Sequence, residues 1–247
     1  MHNVKETTTR SGNIIEDHPA IHVMRGQLSD NAFKSTYEYV ATLNEENASL
    51  YPDDRSRGSL DNMKGDQVTV DWHHPSMQLY VNEIRTAVIE YFEHCVDPLN
   101  PKFRQQTNRY VDICACWCLK MQRGDYVQPH THRSEAKSGV TTVSYLKLPA
   151  GLIDPDNPYR PENHNRQQYS SVGGGLALSW PSNNANVFED DLTPANARHI
   201  YPELGAFWVF PKFLSHMVFP YRGGDTDEQT RWALSSNWNL FLPEKWK

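Results

Sequence analysis

The residues best suited to chemistry are two histidines, His130 and His132, in the run Gly124-Asp125-Tyr126-Val127-Gln128-Pro129-His130-Thr131-His132. In an extended strand, side chains two apart point to the same face. Both rings can therefore offer a nitrogen to one metal ion. Imidazole is a ligand for iron, zinc, copper and nickel alike. A third ligand is available in His216, which lies in the apolar, strand-like run from Phe210 to Pro220. Arg231 follows 15 residues later (231 − 216). An isolated pair of histidines is ordinary on a half-exposed strand. Here strand context, the glycine turn at Gly124, the distal histidine and the trailing arginine all agree on a metal site.

The elements that must position these residues read as follows. Residues 1–20 are polar and aperiodic, and are expected to form a loose lead-in. Ile21–Leu28 reads as a first strand. Ser29 and Asp30 suit a helix N-cap. After them Ala32, Phe33, Thr36, Tyr37, Val40, Ala41 and Leu43 recur at helical spacing, which predicts a helix from Asn31 to about Asn44. Asn47–Gly65 is rich in Asp, Ser, Arg and Gly and reads as a surface loop. Val68, Val70 and Trp72 alternate as in a short strand. A second amphipathic helix opens at Pro75 and carries Leu79, Tyr80, Ile84, Ala87, Val88, Tyr91, Phe92 and Cys95. Asn100–Asn108 is a further loop.

From Tyr110 the period switches to two. Strands are expected at Tyr110–Gln122, Gly139–Leu148, Gly175–Trp180, Ala206–Phe210, Leu214–Phe219 and Arg231–Leu240. In the first, Val111, Ile113, Ala115, Trp117, Leu119 and Met121 would form one face, and Asp112, Cys114, Cys116, Cys118 and Lys120 the other. The breakers of Asp154–Asn165 require a loop. Gly173-Gly174-Gly175 lacks the Lys-Ser/Thr ending of a phosphate loop and reads as a turn before a strand. Trp180, Trp208 and Trp238 could line a pocket, although core packing accounts for each. The pattern is α+β and mainly β: residues 1–247 form a single domain, with helical support in 1–109 and a β core in 110–242.

The chain has 247 residues, enough for a sizeable core. Its formal net charge is −6, with no long basic run, so the broad positive field of a nucleic-acid binder is missing. No stretch is apolar enough to span a bilayer, and Met1–Thr7 carries no apolar leader core. A cytoplasmic protein is expected. Cysteines two apart on one strand are poorly placed to bridge, so Cys114, Cys116 and Cys118 are expected as reduced thiols.

Taken together, these residues resemble the Fe(II)- and 2-oxoglutarate-dependent dioxygenases. The pieces that carry the resemblance are His130-Thr131-His132, Val143-Ser144-Tyr145-Leu146-Lys147-Leu148-Pro149, Gly205 to Pro220, and Arg231 to Asn237. They span about Tyr110 to Leu242. The resemblance implies a double-stranded β-helix, or jelly roll, with two supporting N-terminal helices. It implies His130, His132 and His216 as Fe(II) ligands and Arg231 as the partner of the far carboxylate of 2-oxoglutarate. The activity implied is hydroxylation of a substrate C–H bond, with O2 as co-substrate and succinate and CO2 as co-products. Asn47–Gly65 and Asp154–Ser171 would then be candidate lids over the substrate.

Two departures accompany the resemblance. His132 stands where most of that superfamily has a carboxylate, and Glu135 is close enough in sequence to supply one if the strand ends after His132. Ala233 stands where many relatives have a serine that touches the cofactor. A rival reading on the same fold is a cupin that does not use 2-oxoglutarate, with His130, His132, Glu135 and His216 around the metal. A non-catalytic jelly-roll module ranks last, because pseudo-enzymes usually lose a ligand or the cofactor arginine and all are present here.

Overall fold

The computed structural model describes residues 5–18, 21–44, 63–64, 66–96, 110–132, 139–149, 174–180, 197–221, 223–224 and 226–241. Among these the strands are β1 (Lys5–Thr8), β2 (Ile14–His18), β3 (Ile21–Gln27), β4 (Met63–Lys64), β5 (Asp66–Thr69), β6 (Tyr110–Met121) and β7 (Tyr126–His130). They continue with β8 (Gly139–Lys147), β9 (Leu176–Ser179), β10 (Ala197–Ile200), β11 (Ala206–Pro211), β12 (Ser215–Val218) and β13 (Arg231–Phe241). Two helices, α1 (Asp30–Ala41) and α2 (Gln78–Tyr91), precede the β-rich part.

The strands form two antiparallel sheets. The larger runs β1-β2-β3-β11-β8-β13-β6-β5 and the smaller β10-β9-β12-β7-β4. One core lies between them and is filled by Leu119, Met121, Val143, Leu178, Phe210 and Val218 among others. A second core lies on the other face of the large sheet, where α1 and α2 bury Val40, Tyr80, Ile84 and Val88 against Leu146, Val209, Leu234 and Trp238. The central strands of the large sheet thus bury side chains on both faces, in alternation.

Local chemistry explains both helices. The Ser29 side chain caps α1 by accepting from the Ala32 amide, a contact worth about 1 kcal/mol. At the other end the Lys120 ammonium donates to the carbonyls of Val40 and Leu43, placing a cation where the last helical carbonyls are open. Pro75 opens a 3-10 turn that runs into α2, and Phe92–Val96 widens into a π-helical turn. On α2 the predicted apolar stripe is buried except for Leu79, which faces out.

Two expectations are overturned. Residues 5–18 are not a loose lead-in: β1 and β2 form a hairpin that extends the large sheet through β3. An edge hairpin has no need of strict alternation. Its polar turn is instead bolted to α2, because Glu90 accepts from the Thr9 and Ser11 hydroxyls, the Ser11 amide and the Asn13 side chain. Nor does β6 keep a single apolar face. Trp238 pairs with Ile113 but Asn237 pairs with Ala115, so Cys114 is an extra residue, a β-bulge. Past the bulge the faces exchange. Cys116 and Cys118 join Val111 and Ile113 in the helix-side core, while Leu119 and Met121 face the other sheet.

The four strands missed in the sequence, β1, β2, β4 and β10, are two to five residues long. Of the two candidate lids, residues 154–171 lie outside the described residues, as does all of 47–65 except the two of β4. The loops at 100–108 and Gly173 lie outside them too. No helix among the described residues is long and apolar enough to cross a membrane.

Glu90 yields a test. Its burial favours the neutral form, but the donors of Ser11, Thr9 and Asn13 outweigh that and hold its pKa below the usual 4.5. The stabilisation is thus present above pH 4.5 and is lost as pH falls through the lowered folded value. We expect Glu90→Gln to cost about 1–3 kcal/mol at pH 7. The gap from wild type should narrow below pH 4.5, as read by urea unfolding across pH.

Candidate metal and carboxylate site

The histidines converge because the small sheet brings β7 and β12 together. His130 ends β7 and stands directly opposite His216 on β12. His132 lies just past the strand, where its amide donates to the Lys212 carbonyl at 2.9 Å. The same-face expectation is therefore met by a chain that leaves the strand after His130, not by two neighbours within it. The ligand atoms of the three rings all lie within 4.8 Å of one another, close enough to hold one metal ion.

Two rings are already oriented for such an ion. His130 Nδ1 donates to the Gln128 carbonyl at 2.8 Å, and His216 Nδ1 donates to the Leu214 carbonyl at 2.9 Å. Each bond leaves Nε2 as the ring's lone-pair donor. His132 Nε2 and His216 Nε2 are 3.0 Å apart. Two nitrogens at about 2.1 Å from one ion and at right angles to each other have that separation, as in a facial octahedral site. Trp117 flanks His132 with ring centroids 5.4 Å apart, and Phe210 packs edge-on to His216 at 5.1 Å.

Burial keeps His132 and His216 neutral. It lowers the pKa of His132 to about 2, reinforced by His216, His130 and Lys212. It lowers that of His216 to about 3, aided by His130 and opposed by the bond to Leu214. Neutral imidazole is the form that ligates.

Arg231 opens β13 and is fully buried. Its Nη1 points at the Met121 sulfur at 3.0 Å, and its charge lies 5.0 Å from the centre of the Tyr145 ring. Nε and Nη2 make no hydrogen bond of good geometry among the described residues, and neither does the Tyr145 hydroxyl, although Tyr145 and Arg231 lie close enough to interact and each shifts the other's pKa. Burial pulls the arginine pKa down, countered by Tyr145 and Tyr221, yet a guanidinium stays charged in proteins. Gly174 makes room for it: its φ is +75°, and a Cβ there would meet Tyr221 at 2.9 Å and Arg231 Cδ at 3.0 Å. A buried cation, two orphaned N–H groups and an orphaned hydroxyl together fit a carboxylate. Ala233 stands opposite Tyr145 in the sheet, so the neighbouring strand offers a hydroxyl where Ala233 has none.

Sequence reasoning missed Tyr145, Trp117 and Asn237. Alternation on β13 was the available signal, since Arg231, Ala233, Ser235 and Asn237 share one face. Trp180, Trp208 and Trp238 are buried as core residues. Glu135, required by the cupin reading, lies outside the described residues.

Residues 115–237 match the family model described as "Putative 2OG-Fe(II) oxygenase". The chain belongs to the 2-oxoglutarate- and Fe(II)-dependent oxygenases. Their cofactors are Fe(II) and 2-oxoglutarate, and the match favours the oxygenase over the cupin. Among solved structures the chain is similar to a prolyl-4-hydroxylase from Pseudomonas putida, at 13% identity over 88% of this chain and 91% of that one, with a TM-score of 0.50. That likeness shows the fold, a double-stranded β-helix. Also similar is the viral collagen prolyl hydroxylase from Paramecium Bursaria Chlorella virus-1, solved as a 2OG complex, at 12% identity over 87% and 94% with a TM-score of 0.47. No curated protein is matched by the sequence.

The depressed histidine values set a pH window. In the unfolded chain both rings take up protons near pH 6.5, and in the fold only near 2 and 3. The unfolded state therefore binds more protons between these limits, and stability falls as pH drops through 6.5. Urea unfolding of the metal-free protein between pH 7.5 and 5 should show this loss, and His132→Gln should reduce it.

Proposed function

We propose that His130, His132 and His216 hold Fe(II) through Nε2, and that Arg231 and Tyr145 bind the distal carboxylate of 2-oxoglutarate. The observation that carries the second assignment is the fully buried Arg231 guanidinium, with Nε and Nη2 unpartnered among the described residues beside the unpartnered Tyr145 hydroxyl. The donor set suits the metal: three neutral nitrogens on one face leave positions for the cofactor and O2. Charge supports the pairing as well. Three imidazoles leave the 2+ of iron uncompensated, and the 2-oxoglutarate dianion cancels it.

When bound, iron and 2-oxoglutarate supply the oxidising chemistry, in which one atom of O2 enters a substrate C–H bond and the other enters succinate as CO2 leaves. The chain's own part is positional. The carbonyls of Gln128 and Leu214 fix two ring tautomers. Arg231 and Tyr145 set the depth and direction of the cofactor. Trp117 and Phe210 wall two of the rings with apolar surface that excludes water.

Cys114, Cys116 and Cys118 are thiols, two of them buried. They support a reducing, cytoplasmic setting. The net charge of −6 supports a substrate that is not a nucleic acid recognised through its backbone.

We expect Arg231→Ala to weaken 2-oxoglutarate binding to the metal-loaded protein at least about thirtyfold, since one partner of a buried charge pair is removed. Tyr145→Phe should cost about five- to tenfold, one hydrogen bond. Calorimetry under anaerobic conditions reads both. Unchanged affinity in Arg231→Ala would remove the carboxylate assignment.

A further inference from the structure

Resting on the carboxylate reading of Arg231, we propose that Met121 is a positioning residue for 2-oxoglutarate. Its thioether holds one nitrogen of the guanidinium and presents the Nε–Nη2 edge, charge intact, to the distal carboxylate. Met121 ends β6 and pairs with Arg231, the first residue of β13. Both side chains are fully buried. Arg231 Nη1 donates to Met121 Sδ at 3.0 Å.

The β-bulge makes this contact. Ile113 faces the helix-side core, and Met121 follows it by an even number of residues. Unbroken alternation would therefore send Met121 to the same side. The extra residue at Cys114 exchanges the faces, so the sulfur arrives on the inner face beside Arg231.

A guanidinium carries its N–H groups in one fixed plane. It can take a carboxylate end-on through Nη1 and Nη2, or side-on through Nε and Nη2, with two parallel hydrogen bonds in either case. Here the sulfur occupies the Nη1 side. The guanidinium carbon lies over the Tyr145 ring, 5.0 Å from its centre. The side-on pair, Nε and Nη2, makes no hydrogen bond of good geometry among the described residues. Gly174 keeps the Nε end clear, since a Cβ there would come within 3.4 Å of that nitrogen.

Sulfur chemistry fits the task. A thioether is a weak, uncharged acceptor. It satisfies a buried N–H without neutralising the cation, which a carboxylate at the same place would do. It also fixes the guanidinium plane before the cofactor arrives, and an oriented partner loses less freedom on binding. Leucine would fill nearly the same volume but offer Nη1 no acceptor. The guanidinium would then have to turn into place as the cofactor binds. Met121 acts through Arg231.

The test measures 2-oxoglutarate binding to the Zn(II)-loaded protein by calorimetry, in wild type, Met121→Leu and Met121→Gln. Zn(II) has no redox chemistry and is diamagnetic. Glutamine keeps an acceptor, its side-chain carbonyl, on an unbranched stem. Met121→Leu should bind about five- to tenfold more weakly, the usual effect of one hydrogen bond, and Met121→Gln should stay within about threefold of wild type. Wild-type affinity in Met121→Leu overturns the proposal. So does an equal loss in both variants, the mark of packing alone.

If the variants do not fold, nitrogen-resolved NMR of the wild-type arginine side chains decides. The Arg231 Nε–H signal, identified by its loss in Arg231→Lys, should move downfield as 2-oxoglutarate is added. An Nε–H signal unmoved at saturation overturns side-on docking. Undiminished binding in Arg231→Ala would instead sink the carboxylate reading beneath it.

Discussion

A guanidinium buried with no carboxylate partner among the described residues is an expensive thing to fold around, and the large sheet is built to hold Arg231. Arg231 lies on the inner face of β13, with Met121 on one side, Tyr145 on the other and Gly174 yielding the space a side chain would take. Leaving buried donors unpaired costs about 1–3 kcal/mol each, and more for a charged group. A fold keeps such a group when a ligand completes it. Tyr145 faces the guanidinium, and Ala233 stands opposite Tyr145 in the sheet.

The metal end obeys the same logic with the opposite sign. Three histidines are packed so closely that protonation of any one opposes its neighbours, and burial lowers two of them to about 2 and 3. His132 and His216 stay neutral. With three imidazoles as the proposed ligands, metal charge would be offset by the dianionic cofactor. Metal and 2-oxoglutarate should therefore each strengthen the binding of the other, a coupling that linkage makes reciprocal.

Much of this was legible in residue spacing. Alternation located the strands carrying His216 and Arg231, the helical stripes located both helices, and the spacing of His130, His132, His216 and Arg231 pointed to the chemistry. What escaped had physical reasons. The bulge at Cys114 reverses the faces of β6 without any glycine or proline to announce it, which put Cys116 and Cys118 on the wrong side. The β1–β2 hairpin is stabilised by a polar lock to Glu90, contacts between residues 77 to 81 positions apart that no local pattern encodes. Tyr145 stands beside Arg231 only because β8 and β13 pair in one particular register.

In the proposed site the three histidines and Arg231 serve one chelate of Fe(II) and 2-oxoglutarate. Anaerobic addition of 2-oxoglutarate to the Fe(II)-loaded protein tests it most directly. A visible metal-to-ligand charge-transfer band should form in the wild type and be absent in His216→Ala. Iron bound by the wild type with no such band at saturating 2-oxoglutarate would contradict it.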